Sequence, residues 1–418
     1  MLSQQTIDIV KSTVPVLSEN GTALTTYFYD RMFKHNPEVK PFFNQANQQA
    51  GRQQQALAGA IVAFAKNVDN LEVLSGAVEL IAQKHASLMI APEHYPVVGA
   101  NLLASIQEVL DLPPTSEIIT AWGEAYGFLA EILMAREAQI YQENNERAGG
   151  WKGFRPFRVI KRVEESTLVT SFYLAPADGE ALPDYLPGQY LTIRVPTPDG
   201  ETTMRNYSLS DRSSNQHFRI SVKHEQGRPD AEPPGYVSHY LHTSLNVGDT
   251  LEVGPPCGEF VLNQEQNQDQ DGPRPIVFLA GGIGVTPLLS MATTALSAGA
   301  ERPAVFVHGC LNQEVQAFGA HLNTLAKTHS NFTVHHRYQE GGAKPISEAE
   351  AGEADADDRY ISTGLIDADF LSGLLSTRDA DYYICGPEGF MTAMTGMLKD
   401  WRIPPSQIRL ESFGPKTS

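Results

Sequence analysis

The sequence predicts a multidomain chain: an all-α unit first, an antiparallel β unit second, and an α/β unit with a mostly parallel sheet last. Three observations predict it. At 418 residues the chain exceeds one ordinary hydrophobic core, since domains take up roughly 100–200 residues each. Near residue 150 the apolar residues change from helical spacing to short β-rich runs. From Ile276 onward, strand–glycine–helix units repeat to the end.

In the first unit, Ile7, Val10, Val14 and Leu17 recur at helical spacing, as do Leu57, Ile61, Phe64 and Val68, and then Leu74, Val78 and Ile81. The unit is assigned residues 1–146, and 147–153 form a linker where Gly149, Gly150 and Gly153 relax the backbone between two patterns of different period. The second unit, 154–264, carries β-rich runs at 167–174, 190–195, 218–222 and 250–253, broken by Pro- and Gly-containing turns. That pattern reads as an antiparallel barrel or sandwich. A Gln/Asn/Asp-rich stretch at 263–271 leads to the third unit, 272–418, which opens with the strand 276–280. The small, acidic segment 341–358 reads as a solvated loop.

Composition narrows the function classes. With 41% hydrophobic and 19% charged residues the chain is globular in type, and no apolar run is read as nearing the ~20 residues of a membrane span. Met1 to Gln5 offers neither a basic nor an apolar leader region, so the expected location is the cytoplasm. Cys257, Cys310 and Cys385 stand far apart without C-x-x-C spacing, which argues against a disulfide framework or a thiolate-held metal. A formal charge of −18 repels nucleic acid and anionic lipid surfaces. No obligate protein partner is evident.

The strongest local signal is the strand 276–280 followed by Gly281, Gly282, Ile283, Gly284, Val285, Thr286 and Pro287 and an apolar helix. Glycines between a buried strand and a helix let the backbone approach a diphosphate, which the helix N-terminus stabilises. Pro287 stands where the usual fingerprint has a third glycine, and a glycine-rich turn alone occurs in any α/β protein. Tyr382, Tyr383, Ile384, Cys385, Gly386 and Pro387 repeat the arrangement, so two strand ends can face one cofactor. In the β unit, Arg205, Asn206, Tyr207 and Ser208 offer a guanidinium for a phosphate, an aromatic face and a hydroxyl. Gly235, Tyr236, Val237 and Ser238 open a predicted helix suited to an anion.

Taken in order with Gly188, Gln189 and Tyr190 and with Phe413, Gly414 and Pro415, these motifs resemble the ferredoxin–NADP reductase superfamily over about the last 265 residues. The resemblance implies FAD on a barrel, held by Tyr190, Arg205, Asn206, Tyr207, Ser208 and the residues Gly235 to Ser238, with Phe413 near the flavin. It implies a nicotinamide dinucleotide on the α/β unit, at 281–287 and at Cys385, Gly386 and Pro387. After the second α/β strand the run from Val305 to Asn312 lacks an arginine for a 2′-phosphate, which favours NADH over NADPH.

An electron acceptor is then sought in the helical unit. Its histidines are His35, expected in a turn before Asn36 and Pro37, His94 at a helix start, and His85. His85 extends the stripe of Leu74, Val78 and Ile81. A lone histidine on an apolar face is usually a satisfied core residue. Gln53, however, lies on the stripe of Leu57, Ile61 and Phe64, and Glu137 continues that of Trp122, Tyr126, Leu129 and Leu133. A buried carboxylate without a partner costs several kcal/mol, so Glu137 requires a donor such as histidine or tyrosine. Tyr29 and Tyr95 supply further hydroxyls. Polar groups converging in a small helical unit point to a cofactor pocket.

A helical unit with Tyr29, Phe43, Gln53, Leu57, His85, Tyr95 and Glu137, joined through the glycine linker to this reductase, resembles a flavohaemoglobin over essentially the whole chain. The resemblance implies a globin fold and haem b, with His85 as the proximal iron ligand and Tyr95 and Glu137 behind it. Tyr29 and Gln53 would face bound oxygen, and Leu57 and Phe43 would line the pocket. Lys84 and Glu411 match positions between haem and flavin, as influences on electron transfer. The implied activity is nitric oxide dioxygenation, NO and O₂ becoming nitrate at the expense of NAD(P)H, which protects against nitrosative stress. A lipid is a further candidate occupant of the pocket. The alternatives are a haem-based oxygen or redox sensor or carrier, and a plain NADH-dependent flavin or ferric reductase.

Overall fold

The computed structural model describes residues 2–43, 51–227, 234–263, 274–297, 302–340 and 361–413. The segment 341–358, nearly all of the polar stretch 263–271 and of 228–234, a proline-bearing segment that reads in the sequence as an insert before Gly235, and Gly414 and Pro415 lie outside the described residues.

The helical unit contains α1 (Gln4–Ser12), α2 (Val14–His35), α3 (Arg52–Lys66), α4 (Ser75–Ser87), α5 (His94–Val109) and α6 (Glu117–Glu146). Ser3 and Ser116 cap α1 and α6, their side chains accepting the Thr6 and Ile118 N–H groups. His35 is the last residue of α2 rather than part of the following turn, because the helix ends one residue later at Asn36. The core lies in two clusters. One gathers Val10, Leu17, Leu24, Phe28, Tyr29, Ile61 and Phe64; the other gathers Ala82, Ala86, Tyr95, Leu133 and Ile140. Against the sequence-based expectation, α6 is long and apolar enough to cross a membrane by length and composition. In the fold it packs along α1, α4 and α5 and buries Trp122, Glu137 and Asn144 on its inner face.

The β unit is a six-stranded antiparallel sheet of β1 (Arg155–Glu164), β2 (Val169–Pro176), β3 (Tyr190–Pro196), β4 (Thr202–Ser208), β5 (Phe218–Lys223) and β6 (Thr250–Val253), in the order β4-β3-β6-β1-β2-β5. Alternation buries Phe157 and Val159 from β1 and Phe218, Ile220 and Val222 from β5. Just past β4, a bridge between Leu209 and Ile220 brings the two outer strands together. The short helix α7 (Tyr236–Thr243) covers one end.

The α/β unit alternates β7 (Ile276–Gly281), α8 (Val285–Ser297), β8 (Ala304–Cys310), α9 (Gly319–Thr328) and β9 (Phe332–Tyr338). It continues with β10 (Ile361–Thr363), α10 (Ala368–Leu374), β11 (Asp381–Cys385), α11 (Glu388–Asp400) and β12 (Ile408–Glu411). The order β10-β9-β8-β7-β11-β12 is parallel throughout. Helices on both faces bury β7 completely, which is why it reads as a continuous apolar run. Chain order reverses between β7 and β11, and the crevice beyond such a reversal is where sheets of this kind take ligands.

Candidate functional site

In the helical unit, three helices converge on one carboxylate. Glu137 on α6 is 2% exposed, and its Oε1 accepts from His85 Nδ1 at 2.8 Å and from the Tyr95 hydroxyl at 2.5 Å. The donor that burial demands is therefore present twice. A carboxylate accepts and does not donate, so the imidazole carries its proton on Nδ1 and leaves the Nε2 lone pair free of it. Burial, then Glu137, pushes the Tyr95 hydroxyl far above the ordinary tyrosine range, so it remains a donor. Tyr126 holds the backbone here, its hydroxyl donating to the Tyr95 carbonyl at 2.6 Å. The His85 side chain retains 33% exposure, so the imidazole is not enclosed on every side.

Tyr29 belongs to the other apolar cluster, against Phe33 and Phe43, whose ring centroids lie 5.9 and 5.6 Å from its own. Burial alone pushes its hydroxyl well above the usual range, and among the described residues that hydroxyl has no hydrogen-bond partner. Phe43, Gln53 and Leu57 are half-buried. Gln54, the neighbour of Gln53, is the buried one; its carbonyl accepts from Thr25 of α2. His94 begins α5 with its Nδ1 accepting the Ala91 N–H, a structural commitment. A half-open imidazole, a tyrosine hydroxyl without a partner among the described residues and half-covered apolar side chains fit a haem, which would need one nitrogen ligand and an apolar lining.

The C-terminal turn of α4 touches the β unit. Ser87 Oγ donates to the Lys84 carbonyl and lies 3.5 Å from Asn206 Nδ2 of β4, and it is close enough to the Tyr190 phenol to act on its pKa. Gln83 Oε1 accepts the Gly258 N–H at 3.0 Å, and Asn144 of α6 reaches the Cys257 sulfur at 3.6 Å. Sequence reasoning missed Gln83, Ser87 and Asn144. No spacing signal marks them, because their partners lie in another unit. Lys84 is exposed on α4, and Glu411 at the end of β12 is close enough to Tyr190 to raise its pKa.

In the β unit, Tyr190, Arg205 and Tyr207 are half-buried, Asn206 is exposed and Ser208 buried. Asn206 Oδ1 accepts from Thr192 at 2.8 Å, which ties β4 to β3. Arg205 Nη1 donates to the Met204 carbonyl at 2.6 Å, and burial pulls its pKa below the ordinary arginine value. Gly235 caps α7, where Ser238 Oγ links the Gly235 carbonyl to the Glu225 N–H. Val237 is core, and the Tyr236 hydroxyl donates to the Pro196 carbonyl. What remains for an anion at this corner is the set of first-turn N–H groups that a helix cannot satisfy internally.

In the α/β unit, the two strand ends named in the sequence are neighbours: Ala280 pairs with Cys385 in the β7–β11 register. Their glycines have different causes. A Cβ on Gly284 would stand 2.1 Å from the Cys385 carbonyl oxygen, so that glycine permits the strand ends to interlock. Gly282 has open space around it and a φ of +53°, so it serves the turn and leaves backbone facing outward. Thr286 and Pro287 are buried in the first turn of α8, Thr286 Oγ1 donating to the Ile283 carbonyl. Cys385 is fully buried with its thiol pushed far up by burial, Pro387 is exposed, and Phe413 is 49% exposed just past β12.

Comparison with known proteins follows the same division. Residues 26–133 match the globin family model, 156–262 that of the oxidoreductase FAD-binding domain, and 278–395 that of the oxidoreductase NAD-binding domain. The flavohemoprotein of Halalkalibacterium halodurans is 45% identical over 416 residues, 99% of this chain and 97% of its own. The crystal structure of flavohemoglobin from Malassezia yamatoensis, with bound FAD and haem, superposes with a TM-score of 0.81 at 27% identity, over 99% of this chain and all of that one. The flavohem-like FAD/NAD-binding domain of nitric oxide dioxygenase from Vibrio cholerae matches 62% of this chain and 99% of its own at 30% identity, with a TM-score of 0.53. The chain thus belongs to the flavohaemoprotein family, an oxidoreductase that joins a haem-bearing globin to an FAD- and NAD-binding reductase.

Proposed function

We propose that the protein is a nitric oxide dioxygenase, converting NO and O₂ to nitrate with electrons from NADH. The observation that carries the reading is the pairing of the His85–Glu137–Tyr95 triad, which leaves one imidazole nitrogen over, with the hydroxyl of the buried residue Tyr29, which has no hydrogen-bond partner among the described residues. The solved Vibrio cholerae reductase unit, named as part of a nitric oxide dioxygenase, supports it. Each nitrate takes up one electron, so one NADH serves two NO and two O₂.

When bound, haem supplies an iron site for O₂ and FAD divides a hydride into single electrons. His85 would hold the iron through Nε2. Its Nδ1 proton, donated to Glu137, fixes the tautomer and the orientation of the ring. Tyr95 donates to the same carboxylate oxygen and holds it in place. Tyr29, kept protonated by burial, is a hydroxyl donor for an anionic oxygen, with Gln53 as a second polar group and Phe43 and Leu57 as apolar lining. Lys84 and Glu411 would adjust the field between haem and flavin. Asn206, Tyr190 and Arg205 with the α7 N-terminus would hold FAD, beside Phe413, and 281–287 with Cys385, Gly386 and Pro387 would hold the dinucleotide. Arg337, the arginine beside Gly309 in the strand register, donates to the Leu365 carbonyl and stacks on Phe370, which favours NADH as the donor.

The test is Tyr29→Phe, assayed for NO consumption and nitrate yield with NADH and O₂. A charge-assisted hydrogen bond is worth about 1.5–3 kcal/mol, so consumption should fall about ten- to a hundredfold with haem content unchanged. Parental consumption by that variant overturns the reading.

A further inference from the structure

The α/β unit buries a polar cluster that the redox chemistry does not use. His308 on β8 and His336 on β9 stand opposite each other in the strand register, 0% and 1% exposed. Gln316, in the segment leading to α9, lies between them: its Nε2 is 2.6 Å from His336 Nδ1 and 3.5 Å from His308 Nδ1. Its Oε1 accepts from the Tyr338 hydroxyl at 2.5 Å. His336 Nε2 meets Asn323 Oδ1 of α9 at 2.8 Å, and His308 Nε2 meets the Gly282 carbonyl at 2.9 Å.

One proton arrangement satisfies all of these bonds. The Gln316 amide donates both hydrogens, one to each Nδ1, so each imidazole is neutral and carries its proton on Nε2. His336 then donates to Asn323 and His308 donates to Gly282. Burial pulls the His308 pKa down to about 4, consistent with a neutral ring. The Gly282 oxygen also accepts the Val285 N–H, so both of its lone pairs are engaged.

From this geometry we infer that His308, set by Gln316 and His336, is a positioning residue for dinucleotide binding: it holds the Gly282–Ile283 peptide in the orientation that receives the diphosphate. In a trans peptide the carbonyl and the following N–H point in opposite directions. Turning the Gly282 carbonyl inward to His308 therefore turns the Ile283 N–H away from the core, toward the ligand side of the loop. Gly282 has no side chain and a left-handed φ, so besides the Val285 N–H the restraint on that peptide comes from His308. The inference rests on 281–287 as the dinucleotide loop and is independent of any gas chemistry.

The test is steady-state reduction of ferricyanide by the FAD-loaded full chain, varying NADH, with thermal unfolding followed alongside. His308→Leu should raise KM for NADH about three- to tenfold, the effect of one lost hydrogen bond, with kcat within twofold. His308→Gln, whose amide nitrogen reaches the position of Nε2, should restore KM to within twofold. His308→Asn, too short to reach Gly282, should behave like His308→Leu and serves if the leucine variant does not fold. Gly282→Ala, strained by its φ, should raise KM independently. If it does so while both short His308 variants keep the parental KM, the positioning role is overturned and the loop reading stands. If all keep the parental KM, the loop reading fails as well. If no His308 variant folds, the network determines the fold alone and the positioning role is overturned.

Discussion

In the helical unit, Glu137 gathers two donors from two other helices and leaves one nitrogen of His85 uncommitted; in the α/β unit, His308 and His336 commit both nitrogens of each ring to protein atoms. Glu137 in the first cluster and both imidazoles in the second are buried, so each of these polar groups requires the partners it has. The difference lies in what remains. A network with one valence left over is arranged around something outside the protein, whereas a closed network is arranged around its own backbone. That distinction separates a residue that holds a cofactor from one that positions a loop, and it makes opposite demands on substitution.

The largest effect that sharpens this contrast is expected from His85→Ala. Removing the uncommitted nitrogen should abolish NO consumption and displace haem, while NADH-dependent ferricyanide reduction stays within twofold, because the reductase motifs lie in other units. Continued NO consumption in that variant would show that the triad on Glu137 is a core feature and not a cofactor support. Next in size is Gly284→Ala. Its Cβ would enter the Cys385 carbonyl at 2.1 Å, and backbone on the neighbouring strand end has no rotamer with which to move aside. The expected cost is at least about 1–3 kcal/mol, read as a lowered unfolding midpoint of the α/β unit. An unchanged midpoint would mean that the strand ends do not interlock at Gly284.

What was legible in the sequence follows from how far apart the interacting residues lie. The α/β strand β7 and its glycine turn are contiguous, so period, glycine spacing and the helix after them can be read within one short window. The stripe through His85 was equally local, and burial of Glu137 implied that a donor must exist. Spacing could not say which donor, because Glu137 meets His85 and Tyr95 across 52 and 42 residues, and only the family resemblance set those two beside it. Periodicity alone also resolves faces coarsely. Gln53 and Leu57 share a half-buried edge of α3, while Gln54, Ala58 and Ile61 point toward α2, where Gly21 would crowd Ala58 at 3.1 Å if it carried a Cβ. The His308–Gln316–His336 network was invisible for a related reason: histidine in a β run has no spacing signature, and its meaning comes from the strand register. Apolar content alone is ambiguous for α6, which is long and apolar enough to cross a membrane although its inner face carries Glu137 and Asn144.

The smallest expected effect concerns the seam between the units, where neither kind of network applies cleanly. Ser87 stands two residues after His85 on α4, and its hydroxyl faces Asn206 of the β unit. The 3.5 Å separation from Asn206 is at the limit of a hydrogen bond, so Ser87 registers one surface on another without closing a buried network. Ser87→Ala removes that register and leaves Gln83 bound to the Gly258 N–H, the second tie between the same surfaces. Electron passage from flavin to haem depends on how those surfaces sit, whereas hydride delivery to flavin does not. Rapid mixing with NADH should therefore show haem reduction slowed about two- to fivefold, the effect of one weak hydrogen bond, and flavin reduction within twofold of the parent. Equal slowing of both phases would place Ser87 among the supports of the flavin itself, and no change in either would leave Gln83 as the contact that sets the seam.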